Sequence, residues 1–126
     1  MSNKRLLIDF DRVVHKYTDG WKDGTIYDVP VDGAIDSIKK LQSQGWQIVI
    51  FTTRSKDGDS RNYKIQDWLE SYGFETLCHG LIDYVDNLPF SKSKIVITNT
   101  KIPARAIIDD RAIRFTNWRD ILSYFI

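Results

Sequence analysis

The segment LLIDFD (residues 6–11) decides the fold, because an apolar run passes directly into two carboxylates. Two further apolar runs behave in the same way: residues 48–51 (IVIF) pass into residues 52–54 (TTR), and residues 106–108 (AII) pass into Asp109-Asp110. Short runs rich in Ile and Val are typical of strands buried on both faces, the usual state in a parallel sheet. Ligands of open α/β sheets bind at the carboxyl ends of the strands. We therefore predict that these acids and hydroxyls gather at one edge of a parallel sheet.

The predicted cluster has enough negative charge to need a counter-ion. Four carboxylates at one edge would repel one another unless a cation binds among them. Carboxylate oxygens suit a hard divalent ion. We therefore expect a Mg²⁺ site whose candidate ligands are Asp9, Asp11, Asp109 and Asp110.

Strand and helix patterns alternate along a chain of single-domain length. At 126 residues the chain is long enough to bury a core of its own. The polar segment 12–30 contains glycine turn signals and predicts a loop or small flap beside the first carboxylates. The alternation favours an α/β fold, a Rossmann-like three-layer sandwich with a mostly parallel central sheet and a minimal cap or none. We take residues 1–126 as one domain with a flap around 12–30.

Capping and periodicity signals predict the remaining elements. Asp32 is a candidate N-cap for a helix that ends before Gly45. Segments 74–78 and 94–98 have strand character, and we expect the second of them in a hairpin or at a sheet edge. A short amphipathic helix is predicted from about 118 to 125.

Composition argues against several classes of protein. The net charge of +1 does not favour a broad electrostatic grip on nucleic acid. The single Cys78 cannot form an internal disulfide, and the sequence offers no zinc-ligand cluster. We find no signal peptide pattern and no run of transmembrane length. These features predict a cytoplasmic protein that does not associate with membranes.

Asp9 and Asp11 have the spacing that phosphoryl transfer needs. A carboxylate at the end of a buried strand has a fixed backbone and an exposed tip, so Asp9 can attack phosphorus. Asp11 points the same way on an extended segment and can act as acid toward the leaving oxygen, then as base for water. An Asp-x-Asp after an apolar run is also common as a plain strand end, so the assignment depends on the other motifs.

Further residues suit the handling of phosphate. The hydroxyl of Thr52 and nearby backbone N–H groups could hold a phosphoryl oxygen, and the ammonium of Lys101 could neutralise the transferring group. Thr53, Arg54 and Arg12 are candidate substrate-binding residues, because a guanidinium beside a phosphate site has an obvious partner. Each residue alone is equally compatible with an ordinary loop or strand end.

In order, these motifs resemble the haloacid dehalogenase-like (HAD) phosphohydrolase superfamily. That family has an Asp-x-Asp after the first strand, a Thr or Ser after the second, a Lys and a terminal acidic pair. This chain has Asp9-Phe10-Asp11, Thr52, Lys101 and Asp109-Asp110 in that order. The phrases GWKDGTIYDVPVDGAID, IVIFTTR and TNTKIPARAIIDDRAIRF resemble small capless bacterial and phage-type members.

The resemblance implies Mg²⁺ and phosphoryl transfer through an aspartyl-phosphate intermediate. Asp9 would be nucleophile and metal ligand, and Asp11 would be acid/base and give its backbone carbonyl to the metal. Thr52 and Lys101 would bind the phosphoryl group, and the acidic pair would hold Mg²⁺. A capless site is open, and open members of the family often act on large substrates, such as nucleic-acid ends or phosphoproteins, or borrow a lid from another subunit. The expected substrate is a phosphorylated small molecule or a nucleic-acid end, and a homo-oligomer could supply a lid.

Arg12 departs from the family pattern, which usually has Gly directly after the second Asp. Glycine permits backbone conformations that other residues adopt only with strain. Arg12 could narrow the site, bind an anionic substrate or mark weakened activity. A weakly active or inactive HAD-fold binding module and a metal-dependent nuclease therefore stay open. A response-regulator receiver domain fits poorly, because no mid-chain strand ends in an Asp.

Overall fold

A five-stranded sheet lies at the centre of the computed structural model, which describes residues 4–54, 60–78 and 93–126. The strand order is β3-β4-β2-β1-β5, and all four pairings are parallel. The expected Rossmann-like α/β fold is confirmed. The strands are β1 Arg5–Ile8, β2 Gln47–Phe51, β3 Glu75–Cys78, β4 Lys94–Thr98 and β5 Ala106–Ile108.

The three strands that end in chemical motifs are neighbours. β1 lies between β2 and β5, and Ile8 is level with Ile50 on one side and Ile108 on the other. The ladder continues past the strand ends, because the backbone N–H of Asp9 donates to the carbonyl of Ile108 at 2.9 Å. The predicted meeting of these three strand ends at one edge of the sheet is therefore confirmed.

Two helices pack on one face of the sheet and form the main core with it. α1 spans Ala34–Ser43 and α2 spans Ser60–Ser71. Their buried side chains pack with alternate strand residues, and the cluster includes Leu6, Ile8, Ile38, Ile48, Ile50, Ile65, Leu69, Ile95 and Ile97. The intervening strand residues form a second cluster, which includes Leu7, Val49, Val96 and Ile102. Burial on both faces explains why the interior strands are apolar at successive positions.

The expectation that residues 94–98 form a hairpin or an edge strand is wrong. These residues are β4, which lies inside the sheet and pairs in parallel with both β2 and β3. Four of its five residues are buried. A central position explains the continuous apolar run, because a central strand in a covered parallel sheet meets apolar neighbours on both sides.

The start of α1 also differs from the expectation. Gly33, not Asp32, is the N-cap, and no side chain caps the helix. The chain enters α1 through a turn in which the Ala34 N–H donates to the Val31 carbonyl at 2.9 Å, and Gly33 takes the left-handed φ of 80° there. The predicted stop at Gly45 is confirmed, since this residue follows the helix with a φ of 91°.

The C-terminal part of the chain is more exposed than its sequence suggests. All three residues of β5 are exposed, so the expectation that this strand is buried on both faces is wrong. The final helix, α3, spans Trp118–Ser123, begins with a side-chain cap from Asn117 and buries no residue. It packs against no other helix or strand in the described part of the chain. No helix among the described residues has the length and hydropathy needed to cross a bilayer.

Candidate active site

Asp9, Asp109 and Asp110 form a compact carboxylate cluster where β1 and β5 end. One carboxylate oxygen from each residue lies within 4.8 Å of the others. The turn after β5 helps to fix the Asp109 side chain, because the backbone N–H of Arg111 donates to Oδ1 of Asp109 at 2.8 Å. A cluster of three Asp could hold a metal ion, and an all-oxygen ligand set suits Mg²⁺, Ca²⁺ or Mn²⁺.

The cluster lacks positive charge of its own. Burial raises the pKa of Asp9 to about 6, and the carboxylates of Asp109, Asp110 and Asp11 add to that rise, against a lowering by the hydrogen bond from the backbone of Phe10. A carboxyl surrounded by other carboxyls holds its proton more tightly. A bound cation would reverse this effect and favour the ionised form.

The carboxylate of Asp11 has different partners. Oδ1 accepts a hydrogen bond from Nδ1 of His15 at 2.8 Å, and Oδ2 accepts one from Nε of Arg54 at 3.0 Å. Burial raises the pKa of Asp11, but the hydrogen bonds from His15 and Arg54 outweigh burial and lower the pKa below its usual value. Among the described residues, the three-carboxylate cluster does not include Asp11. Metal binding by the Asp11 backbone carbonyl, which the HAD resemblance implies, stays a prediction.

His15 is fully buried, and both of its ring nitrogens are engaged. Its Nε2 accepts a hydrogen bond from the backbone N–H of Asp28 at 3.0 Å, so the proton is on Nδ1, which donates to Asp11. The ring stacks on Phe10 with centroids 5.3 Å apart. The sequence alone gives little sign of this contact, because a lone His is more often structural than functional.

Arg54 connects the β2 loop to the flap. Its side chain is buried, and Nη1 donates to the carbonyl of Gly24 at 2.9 Å while Nε donates to Asp11. The guanidinium carbon lies 5.0 Å from the ring centroid of Trp21 and 5.5 Å from that of Tyr17. These contacts engage Arg54 with protein groups, and its role in substrate binding stays a prediction.

A cleft of about 310 Å³ opens beside the carboxylate cluster. Thr52 lines the cleft and is buried, and its hydroxyl accepts a hydrogen bond from the Arg54 N–H at 3.2 Å. Most of the predicted site residues line the cleft, and Tyr17 and Arg111 join them. The full lining is Asp9, Asp11, Arg12, Tyr17, Thr52, Thr53, Asp109, Asp110 and Arg111.

Lys101 is not part of that lining. It is exposed in the segment between β4 and β5, next to Ile102, which is buried in the second core cluster. Phosphoryl binding by Lys101 therefore stays a prediction. The motif positions did not identify Tyr17 or Arg111 as cleft residues, because neither belongs to a strand-end motif.

Arg12 keeps the backbone conformation for which glycine is usual. Its φ is 71°, and its N–H donates to the carbonyl of His15 at 2.7 Å. A left-handed conformation costs a residue with a Cβ roughly 1–2 kcal/mol. The side chain is exposed, and its guanidinium carbon lies 5.5 Å from the ring centroid of Tyr17. Compared with the HAD pattern that the sequence resembles, Arg12 therefore adds a side chain at the cleft and retains a glycine-like turn.

Fold and site together define a Rossmann-like parallel α/β protein with an Asp triad that could bind a metal ion. Comparison of the chain with protein-family models, with curated proteins and with solved structures gives no match.

Proposed function

We propose that the protein is a Mg²⁺-dependent phosphohydrolase of the HAD type that acts on phosphate monoesters. The observation that supports this most is the meeting of Asp9, the Asp109-Asp110 pair and the buried Thr52 in one cleft at the carboxyl ends of neighbouring strands. A strand-end carboxylate, a hydroxyl and a metal-binding pair are the groups that phosphoryl transfer through an aspartyl-phosphate needs.

Asp9 would supply the nucleophilic oxygen. That oxygen would form a bond to phosphorus while the bond from phosphorus to the leaving oxygen breaks, and the Thr52 hydroxyl would orient the phosphoryl group. Mg²⁺ bound by the cluster would offset the negative charge of the carboxylates and of the phosphoryl group. Thr53 and Lys101 would make further contacts to the phosphoryl oxygens.

Asp11 is suited to the second half of the reaction. Because His15 and Arg54 favour its ionised form, Asp11 can take a proton from the water that attacks the aspartyl-phosphate. In the first half, Asp11 would have to be protonated before it could serve as an acid. A monoanionic phosphate ester can bring that proton to the site and pass it to Asp11, which would give it to the leaving oxygen as the bond to phosphorus breaks.

The proposal is tested by phosphate release from p-nitrophenyl phosphate, nucleotides and phosphorylated oligonucleotide ends, with Mg²⁺ and with EDTA. We expect Mg²⁺-dependent turnover that Asp9→Asn reduces by at least about 10³-fold. Asp32→Asn, which changes an exposed carboxylate outside the cleft, is the matched control. Near wild-type turnover by Asp9→Asn would rule out the covalent mechanism.

A non-catalytic binding module remains the second candidate, and Arg12 is the residue that favours it. Beryllium fluoride mimics the phosphoryl group of an aspartyl-phosphate, so we expect it to raise the melting temperature only with Mg²⁺ and only when Asp9 is present. A binding module or a nuclease that lacks this intermediate would show no such stabilisation.

A further inference from the structure

We propose that Arg12 and Arg111 form a second anion-binding position in the cleft, and that the substrate is a phosphate monoester with a second phosphate group. Nucleoside 3′,5′-bisphosphates represent this chemical class. The inference rests on the proposed phosphohydrolase function and specifies the substrate of that site.

Arg12 and Arg111 line the same cleft as four acidic residues, and both arginines are exposed. No ion pair within 4.0 Å among the described residues includes either arginine. Asp11, which also lines the cleft, pairs with Arg54. Arg12 and Arg111 therefore leave their charge-assisted hydrogen bonds available to a ligand.

Both arginines are held at the cleft by their backbones. A hydrogen bond from the Arg12 N–H to the His15 carbonyl closes the turn that contains Arg12. A hydrogen bond from the Arg111 N–H to the Asp109 carboxylate fixes the backbone of Arg111 next to the Asp cluster. Tyr17, whose ring lies beside the Arg12 guanidinium, also has a left-handed φ of 58°. Two strained residues at one side of a cleft are typical of a functional position.

The chemistry of the cleft separates two anion positions. The phosphoryl group that is transferred must lie against Asp9 and a metal ion, where bare carboxylates would repel it without the metal. A second phosphate needs no metal, because a guanidinium can bind phosphate through two parallel N–H donors. The size of the cleft suits a small molecule that reaches both positions.

The test compares adenosine 3′,5′-bisphosphate with adenosine 5′-monophosphate and adenosine 3′-monophosphate as substrates. We expect the protein to prefer the bisphosphate by about 10- to 100-fold in kcat/KM, the worth of one or two charged hydrogen bonds. Arg12→Gly and Arg111→Gln should reduce this preference, because each should raise KM for the bisphosphate more than KM for either monophosphate. Arg114→Gln, an exposed arginine outside the cleft, is the matched control.

Arg12→Gly should fold like the wild type, since glycine accepts the left-handed φ of this position without strain. Equal losses on all three substrates would overturn the inference, because the arginines would then only offset the nearby carboxylates. Equal use of mono- and bisphosphate by the wild-type protein would also overturn it.

Calorimetry separates this inference from the proposed function. Asp9→Asn protein with Mg²⁺ should bind the bisphosphate at least about tenfold more tightly than either monophosphate, and adding Arg12→Gly should abolish the difference. If no substrate is hydrolysed but this binding difference is found, the phosphohydrolase function fails and the second anion position stands. If hydrolysis occurs without the binding difference, the second anion position is wrong.

Discussion

Nε of Arg54 lies 3.0 Å from Oδ2 of Asp11, across 43 residues of sequence. The contact joins the loop after β2 to the loop after β1, and the same guanidinium reaches the flap through the Gly24 carbonyl. Because the Arg54 side chain is only 3% exposed and that of Asp11 22%, the pair is largely shielded from solvent. Arg54 therefore helps both to orient Asp11 and to attach the flap, as His15 does through Asp11 and Asp28.

Replacing Arg54 by Met should destabilise the protein by about 3 kcal/mol, since the change leaves a partly buried carboxylate without its cation. Urea unfolding measures this loss. Arg54→Lys restores a charge but not the forked geometry, so it should recover only part of the stability. If Met is tolerated with no loss, the contact contributes little and the flap is held by other groups.

Asp9→Asn should raise the melting temperature at pH 7.5 in EDTA and have little effect at pH 4. The pKa of Asp9 is raised in the folded protein to about 6 from an ordinary value of 3.8, so the folded state holds its proton more tightly than the unfolded state. The contribution of protonated Asp9 to the free energy of unfolding is therefore fully present below about pH 4. It is lost as pH rises through about 6, because Asp9 then ionises in the folded protein. Thermal melts at the two pH values measure the difference, and the same shift at both would contradict this origin.

Mg²⁺ should raise the melting temperature at pH 7.5 in a concentration-dependent way. A ligand that binds only the folded state adds about 2.7 kcal/mol at one hundred times its dissociation constant. Asp109→Asn removes one member of the carboxylate cluster and should reduce the effect strongly, whereas Asp32→Asn should not. If Mg²⁺ raises the melting temperature of Asp109→Asn protein as much as that of the wild type, the ion binds outside the Asp cluster.

Deleting residues 117–126 should change the free energy of unfolding by less than about 1 kcal/mol. No residue of α3 is buried, and α3 packs against no other described helix or strand. The deletion should also reduce nonspecific association, since Trp118, Phe125 and Ile126 are 69%, 70% and 94% exposed. Denaturant unfolding and light scattering measure the two effects. A large loss of stability would mean that this segment packs against the body of the protein in solution.

The sequence predicts the position of Asp9 and the acidic pair because each follows an apolar strand, and parallel strands present their carboxyl ends on the same side. It does not predict that β4 lies between β2 and β3, because the choice of strand neighbours depends on contacts distant in the chain. Nor does it show that Arg54 turns inward to Asp11 instead of outward to a ligand. The spacing between an apolar strand and the residue that follows it predicts the edge of the sheet at which that residue lies. The direction of the Arg54 side chain depends instead on contacts with the flap, such as the Gly24 carbonyl.

The position of β1 between β2 and β5 has a consequence for protein synthesis. Asp9 lies 100 residues before Asp109, and the strand that presents the acidic pair is the last to join the sheet in chain order. During synthesis the ribosome therefore adds Asp9 and Asp11 to the chain long before Asp109 and Asp110. In the proposed function, the full Asp triad forms after β5 has docked beside β1, so metal binding by the triad would indicate that these two strands have paired.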